Sequence, residues 1–203
     1  MTALVLTTLL GFVLALLVGG TLDGWRTVRV RWWLPALGAL GLQLVLYNPP
    51  IDSQPWALTF GPWLFVLAKA VMTLSLLGNA VSAETKAYRA AWLIAAIGVG
   101  LNLAVVAANG GYMPQSEAAR VMARGTTLLD GETIPRLHNV KPIDNDTRLA
   151  FLGDVLAQPS WMPRANVISI GDVLLAGGLG LWAFQVTTRV RRAPVRRLAL
   201  ADS

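Results

Sequence analysis

Five long apolar runs dominate the sequence and restrict the chain to folds that can exist in a lipid bilayer. Several of them exceed the ~18 residues that mark a transmembrane helix. Hydrophobic residues make up 55% of the 203 residues and charged ones 14%, whereas a soluble domain carries about 25% charged residues. The predicted spans are about 3–22, 32–47, 57–78, 90–108 and 167–185. We therefore predict an all-α membrane protein, a single membrane domain over residues 1–203 that forms a five-transmembrane-helix bundle.

Basic residues fall in the segments that an odd number of spans places on one side of the membrane. They are Arg26, Arg29 and Arg31 after the first span, Lys86 and Arg89 after the third, and the arginines of the tail 189–203. Because cytoplasmic loops carry an excess of Lys and Arg, we expect the N-terminus outside and the C-terminus in the cytoplasm. The first span lacks the basic start and the cleavage site of a signal peptide, which favours a retained helix.

The basic tail follows directly after the fifth span. Its arginines are Arg189, Arg191, Arg192, Arg196 and Arg197. Such a cluster beside a membrane helix anchors the helix and attracts anionic lipid headgroups. No nucleic-acid-binding motif or row of stacking aromatics accompanies the charge, so the expected partner is the bilayer and not nucleic acid.

The segment 109–166, between the fourth and fifth spans, is the largest region outside the predicted membrane and falls on the outer side. We expect two short helices in it. One is Ser116–Arg124 with Ser116 as N-cap, and the other is Thr147–Ala157, whose apolar positions suit a membrane surface. The loop carboxylates lack EF-hand spacing, and the chain has no Cys and one His, so we predict no metal site.

Polar side chains inside predicted spans are the strongest candidates for a functional site, because a charge there costs ~2.5–3.5 kcal/mol on insertion scales. They are Lys69, Asn102 and Asp172, and the helix positions allow them to meet in the outer half of the bundle, with Ser169 and Asp154 beside them. Two interpretations stay open. Ser169 and Asp172 match an S-x-x-D capping box, and Lys69 can pair with Asp172 to fix helix register. Alternatively, the cluster binds a ligand, a proton or a quinone.

Small residues recur within the spans. They are Gly38 and Gly41, Gly98 and Gly100, and Gly177, Gly178 and Gly180. Such residues permit close approach between helix backbones. The sequence leaves open whether these faces pack within the chain or against a partner.

The fourth span ends in N-G-G-Y-M-P, which comprises Asn109, Gly110, Gly111, Tyr112, Met113 and Pro114. One glycine can end the helix in the left-handed conformation, and the second indicates a close backbone approach. Together with L-G-D at 152–154 and S-I-G-D at 169–172, this motif resembles an uncharacterised family of small bacterial integral membrane proteins, known as a domain of unknown function. The resemblance implies a bacterial plasma-membrane location, multi-pass, and no established activity.

Three classes of function are compatible with these features. The first is a non-enzymatic accessory or structural subunit of a larger bacterial membrane complex of respiratory or photosynthetic type. The second is a small-molecule or lipid-binding site in the outer half of the bundle, used for transport or sensing. The third is a membrane enzyme that uses Asp154 and Asp172, which is disfavoured because no nucleophile–base pair, metal motif or phosphate loop is present. No cofactor is predicted, and the first class also allows contact with a pigment or quinone through the complex.

Overall fold

The structure, a computed structural model, describes residues 2–126 and 138–189, which are mostly helical. The helices are α1 (Thr2–Leu17), α2 (Asp23–Thr27), α3 (Trp33–Leu46), α4 (Pro55–Val81), α5 (Lys86–Ala108), α6 (Glu117–Arg124) and α7 (Ile170–Thr188). The strands are β1 (Met113–Gln115), β2 (Val140–Pro142), β3 (Leu156–Ala157) and β4 (Val167–Ile168). Short 3-10 turns lie at Ile51–Ser53 and Ala150–Leu152.

Three helices, α4, α5 and α7, are long and apolar enough to cross a membrane. Two shorter apolar stretches, Leu6–Leu17 and Trp33–Leu46, lie within the first and second predicted spans. The prediction of a mostly helical protein with helices long and apolar enough to cross a membrane is confirmed.

Two helices have ends that differ from those of the predicted spans. The first helix ends at Leu17 and not near residue 22. Gly19 takes a left-handed φ of 83°, and the Thr21 N–H then donates to the Thr187 carbonyl at 2.9 Å. Helix α5 begins at Lys86, before the predicted fourth span, because the Thr85 side chain caps the helix and accepts from the N–H of Tyr88.

Helices α1 and α7 run parallel to each other. Gly11 lies against the backbone of Gly180, and Gly20, farther along, lies against Thr187. A side chain at Gly11 would collide with a carbonyl of α7. Glycine therefore allows the two backbones to touch here.

Helices α5 and α7 run antiparallel and share a seam of small residues. Gly98 lies against Gly171 near one end of the seam, and Gly178 lies against Ala95 farther along. A Cβ atom at Gly178 would lie 2.6 Å from the Ala95 nitrogen. These glycines thus pack within the chain.

Helix α4 is antiparallel to α5. Phe65 shares a buried cluster with Val105, whereas Leu76, farther along α4, shares one with Trp92, near the start of α5. Lys69 lies between these two clusters along α4.

Helix α3 is antiparallel to α4. Leu46 is buried with Ala57, and Trp32, at the other end of α3, lies against Gly78. Helix direction therefore alternates in the order α3, α4, α5 and α7, and α1 runs in the same direction as α4 and α7.

The two ends of the bundle differ in chemistry. At the basic end, which carries Arg26 and Arg189, the Trp25 indole donates to Thr187 Oγ1 at 2.9 Å and packs against Trp182 at 5.3 Å between ring centroids. Arg189 pairs with Glu84 at 2.8 Å in the same region. At the opposite end, the loop end, residues 109–169 connect α5 to α7.

The loop end contains the predicted helix Ser116–Arg124 but not the second one. Helix α6 is capped by Ser116, whose side chain accepts from the Ala119 N–H, as predicted. The predicted helix over Thr147–Ala157 is wrong, since Leu149 has a left-handed φ of 53° and Gly153 is extended. The segment forms a 3-10 turn followed by β3, which pairs antiparallel with β4. Strand β1 pairs in parallel with β2, and Met113 of β1 is buried with Phe65 of α4, so the loop lies against the helix ends.

Candidate ligand-binding site

The N-terminus of α7 is closed by a reciprocal capping box. Ser169 Oγ accepts from the Asp172 N–H at 2.9 Å, and Asp172 Oδ2 accepts from the Ser169 N–H at 3.2 Å. The predicted capping role of Ser169 and Asp172 is confirmed. It satisfies N–H groups that have no partner inside the helix.

Asn102 of α5 connects to the same two residues. Its Nδ2 donates to Asp172 Oδ1 at 2.8 Å, and its Oδ1 accepts from Ser169 Oγ at 2.8 Å. Asn102 is 2% exposed and Ser169 is fully buried. A side chain at Gly171 would collide with Asn102 Oδ1, so the third residue of S-I-G-D must be small. Each carboxylate oxygen of Asp172 thus accepts one hydrogen bond within this group of residues.

Asp154 is held beneath the loop by the backbone of β1. Its N–H donates to the Pro114 carbonyl at 2.8 Å, and its own carbonyl accepts from the Ser116 N–H at 2.9 Å. The carboxylate accepts from Gln115 Nε2 at 3.4 Å, a weak contact, and the residue is only 8% exposed. Asp154 therefore places an acid in the interior of the loop end.

Burial raises the pKa of Asp154 to about 7, and the charge of Asp172 raises it as well. The Lys69 ammonium and the hydrogen bond from Gln115 oppose this shift of the pKa. Asp154 therefore changes charge near neutral pH, which an exposed carboxyl group does not do.

Lys69 provides a cation from the bundle side of the cluster. Its Nζ lies 5.0 Å from the centroid of the Phe65 ring, a cation–π contact. Its charge interacts with those of Asp172 and Asp154. Among the described residues, however, no carboxylate lies within the 4.0 Å of an ion pair with Lys69, and no hydrogen bond from its ammonium is formed. A direct Lys69–Asp172 pair, one of the two sequence interpretations, is therefore not what the structure shows.

Arg120 provides a second cation, from the loop side. Its Nη1 donates to Gln115 Oε1 at 3.1 Å, and Gln115 in turn donates to Asp154. The Arg120 Nε atom is buried and has no hydrogen-bond partner among the described residues. Sequence reasoning missed both Gln115, which is 2% exposed, and Arg120. The available signal was the position of Gln115 directly after N-G-G-Y-M-P.

The N-G-G-Y-M-P segment attaches the loop to the bundle. Asn109 Nδ2 donates to the Arg148 carbonyl at 2.8 Å, and Asn109 Oδ1 accepts from the Arg148 N–H at 2.9 Å. Gly110 takes the left-handed conformation that was expected at the end of the helix, with a φ of 66°. Gly111, at a φ of 91°, lies so close to α4 that a Cβ atom would be 2.5 Å from the carbonyl oxygen of Pro62.

The remaining residues of the motif are Met113, Pro114 and Tyr112, and each makes a different contact. Met113 is buried with Phe65 and Val105. Pro114 supplies the carbonyl that holds Asp154. Tyr112 lies under the ammonium of Lys141 at 3.7 Å and, with Arg148, lines an open surface pocket of about 440 Å³.

The structure leaves most of the predicted lipid-binding tail outside the described residues. Arg189 lies at the basic end and is engaged by Glu84. Arg191, Arg192, Arg196 and Arg197 are outside the described residues. In the part of the chain that the structure describes, no three His, Asp or Glu side chains come close enough to hold a metal ion.

These features describe a small, mostly helical protein with helices apolar enough to cross a membrane, in which the loop end brings Asp154 near Lys69 and Asp172 and, through Gln115, near Arg120. The chain belongs to a family of unknown function, DUF5317, which matches residues 27–184. The matched range contains all of these residues. No curated protein and no solved structure shows a significant match to the chain.

Proposed function

We propose that the protein is a five-span bacterial plasma-membrane protein that binds a small molecule in the outer half of its bundle. The alternating directions of α1, α3, α4, α5 and α7 support five spans. Arg26, Lys86 and Arg189 fall at one end of the bundle, which supports a cytoplasmic basic end and an outer loop end.

The observation that carries the proposal is the unpaired Lys69 ammonium. A lysine at membrane depth is expensive and needs a compensating partner. Asp172 does not supply one directly, because among the described residues no carboxylate oxygen lies within 4.0 Å of the Lys69 ammonium. A purely structural cluster would pair its charges, whereas a site for a ligand keeps one charge available. In this proposal, Lys69 and Arg120 hold the ligand, and Asn102, Ser169 and Asp172 fix the helices around it.

An adduct measurement tests the proposal. The protein is extracted gently from its native membrane and examined by intact-complex mass spectrometry. We expect a small-molecule adduct on the wild-type protein, its loss in Lys69→Met, and its retention in Lys141→Met, since Lys141 lies on the loop surface over Tyr112. An adduct that is absent from the wild type, or that persists equally in Lys69→Met, would contradict the proposal.

A second candidate, an accessory subunit of a larger membrane complex, is favoured by a separate observation. A Cβ atom at Gly38, Gly41 or Gly177 would meet no described atom within 4 Å, so these glycines do not serve packing within the chain. Small residues on an open helix face permit close approach of a partner helix. Gly38→Leu should then release the protein from a co-purifying complex while leaving it folded. If Gly38→Leu has no effect on co-migration, this candidate loses its support.

A further inference from the structure

A surface pocket at the loop end is lined by side chains of both charges, and Lys69 is not among them. Its volume of about 440 Å³ lies within the ~300–1,000 Å³ that is usual for small-ligand pockets. Two of its lining residues, Lys141 and Arg148, are basic, and two others, Asp144 and Asp146, are acidic. Because these charges sum to zero, the lining suits a ligand that carries both a positive and a negative group.

The four charged side chains of the pocket do not neutralise one another. Among the described residues, neither Lys141 nor Arg148 has a carboxylate oxygen within the 4.0 Å of an ion pair. The Lys141 ammonium lies over the Tyr112 ring, 3.7 Å from its centroid, and the hydrogen bonds of Arg148 are formed by its backbone. The charged ends of both basic side chains are therefore available to a ligand.

Backbone and turn contacts hold the lining of the pocket in place. Asn109 binds the carbonyl and the N–H of Arg148, at 2.8 and 2.9 Å. Asp144 Oδ1 accepts from Thr147 Oγ1 at 2.7 Å and from the Asp146 N–H at 3.1 Å. The N-G-G-Y-M-P motif thus attaches the pocket to the end of α5.

The pocket lies at the level where lipid headgroups would meet the protein. Its lining includes Ala108, the last residue of α5, and the half-buried Tyr112. Helix α5 is long and apolar enough to cross a membrane, so its end falls near the bilayer surface in the proposed topology. A tyrosine is typical of that level. Phospholipid headgroups would therefore surround the pocket at high local concentration.

We propose that this pocket binds a phosphoethanolamine group, with the phosphate on Arg148 and Lys141 and the primary ammonium on Asp144 and Asp146. Arg and Lys donate charge-assisted hydrogen bonds to phosphate, and a primary ammonium donates to carboxylates. The inference rests on the membrane placement in the proposed function and not on the Lys69 site. No covalent bond changes on binding.

Two other kinds of headgroup fit the lining less well. A trimethylammonium group has no N–H to donate and is recognised by open aromatic faces. The lining contains one aromatic ring, that of Tyr112, and Lys141 already covers it. An anionic headgroup without an ammonium would be repelled by Asp144 and Asp146. Selectivity for the primary ammonium is therefore the property to measure.

Intact mass spectrometry of the purified full chain in detergent measures this selectivity, with phospholipids of identical acyl chains added one at a time. We expect phosphatidylethanolamine to bind about tenfold more tightly than phosphatidylglycerol or phosphatidylcholine, the size of one charge-assisted hydrogen bond. Glycerophosphoethanolamine, which has the same group without acyl chains, separates the two sources of the ligand. If it binds as tightly as the lipid, the ligand is soluble, and if the lipid alone binds, the ligand comes from the bilayer.

Substitutions assign the two halves of the ligand. Asp146→Asn should weaken phosphatidylethanolamine binding about tenfold without weakening phosphatidylglycerol binding, because the lost carboxylate contacts only the ammonium. Arg148→Gln should weaken the binding of both lipids. Arg164→Gln is the matched control, since Arg164 is an exposed arginine of the same loop that does not line the pocket. Trp fluorescence checks that each variant is folded.

Equal affinity for the three lipids would overturn the inference, as would wild-type binding of phosphatidylethanolamine by Arg148→Gln. Displacement of the lipid by glycine more readily than by glycerophosphoethanolamine would overturn the phosphate assignment.

The two sites can fail separately, because a phospholipid adduct is recognised by its mass. Lys141→Met should weaken the phospholipid adduct and keep the adduct that depends on Lys69. If the Lys69-dependent adduct is found but the three lipids bind equally, this inference fails and the proposed function stands. If phosphatidylethanolamine is selected through Asp146 and Arg148 but no adduct depends on Lys69, the Lys69 site fails and this inference stands.

Discussion

Replacing Asp154 by Asn should change how the stability of the protein depends on pH. The folded pKa of about 7 lies above the unfolded value of 3.8, because burial favours the neutral acid. This stabilising contribution is fully present below pH 3.8 and is lost as the pH rises through about 7. Asn stays neutral at every pH, so the stability of the variant does not fall in this way as the pH rises.

The magnitude follows from the separation of the two pKa values. At about 1.4 kcal/mol for each pH unit, wild-type Asp154 loses roughly 4 kcal/mol in total and roughly 2–3 kcal/mol between pH 5 and pH 8. For a chain of this length that corresponds to a difference of roughly 5–10 °C in thermal midpoint. The readout is the change of this stability difference with pH, since any loss of packing in the variant is the same at both pH values.

Unfolding followed by Trp fluorescence in detergent supplies the measurement, at pH 5 and at pH 8. Asp144→Asn is the matched control, because Asp144 is an exposed loop acid whose pKa is lowered by its hydrogen bond to Thr147. Such a group is ionised in both states above pH 5, so its variant should show no change across this range. If the stability of the wild type relative to Asp154→Asn does not fall from pH 5 to pH 8, Asp154 is not a buried acid that is neutral at pH 5.

Three further substitutions test the packing around the site, each by unfolding in detergent. Gly178→Leu should destabilise the protein by at least about 1–3 kcal/mol through overpacking against α5. Gly177→Leu should be nearly neutral, because a Cβ atom at this position would meet no described atom within 4 Å. Equal effects of the two substitutions would contradict the close packing of α7 against α5. Gly111→Ala should cost more than Gly110→Ala, because both have a positive φ but only Gly111 also lies against α4; the reverse order would contradict the close approach. Asn102→Leu should cost about 1.5–3 kcal/mol, since its carboxylate partner on α7 loses a charge-assisted hydrogen bond; an unchanged midpoint would show that this bond does not lock the helices.

The helices could be predicted from sequence because burial in a bilayer requires uninterrupted apolar runs. The ends of the helices could not be predicted, because polar residues next to an apolar run can continue the helix. A hydropathy pattern does not show whether they do. The four residues from Lys86 to Arg89 extend α5 in this way. The end of α1 depends on a contact between Thr21 and Thr187, which are distant in sequence.

The wrong helix over 147–157 has a different cause. Its apolar positions suggested a helical face, but the backbone turns at Leu149 and becomes extended at Gly153 to present Asp154 to β1. Tertiary pairing with β1 and β4 thus overrode the local pattern.

The candidate site was only partly predictable. Lys69, Asn102 and Asp172 stand out because polar groups are rare at membrane depth. Gln115 and Arg120 belong to a polar loop, where such residues are ordinary, and only the folding of β1 beneath α6 gives them a place beside Asp154. A sequence pattern cannot show that an individual loop residue becomes buried.

The most direct measurement is an experimental density map of the protein extracted from its native membrane. The account predicts density for a small molecule within hydrogen-bonding distance of Lys69 Nζ, on the side of Asp154 and Arg120. A map in which Lys69 forms a direct ion pair with Asp154 or Asp172, with no additional density beneath the loop, would contradict it.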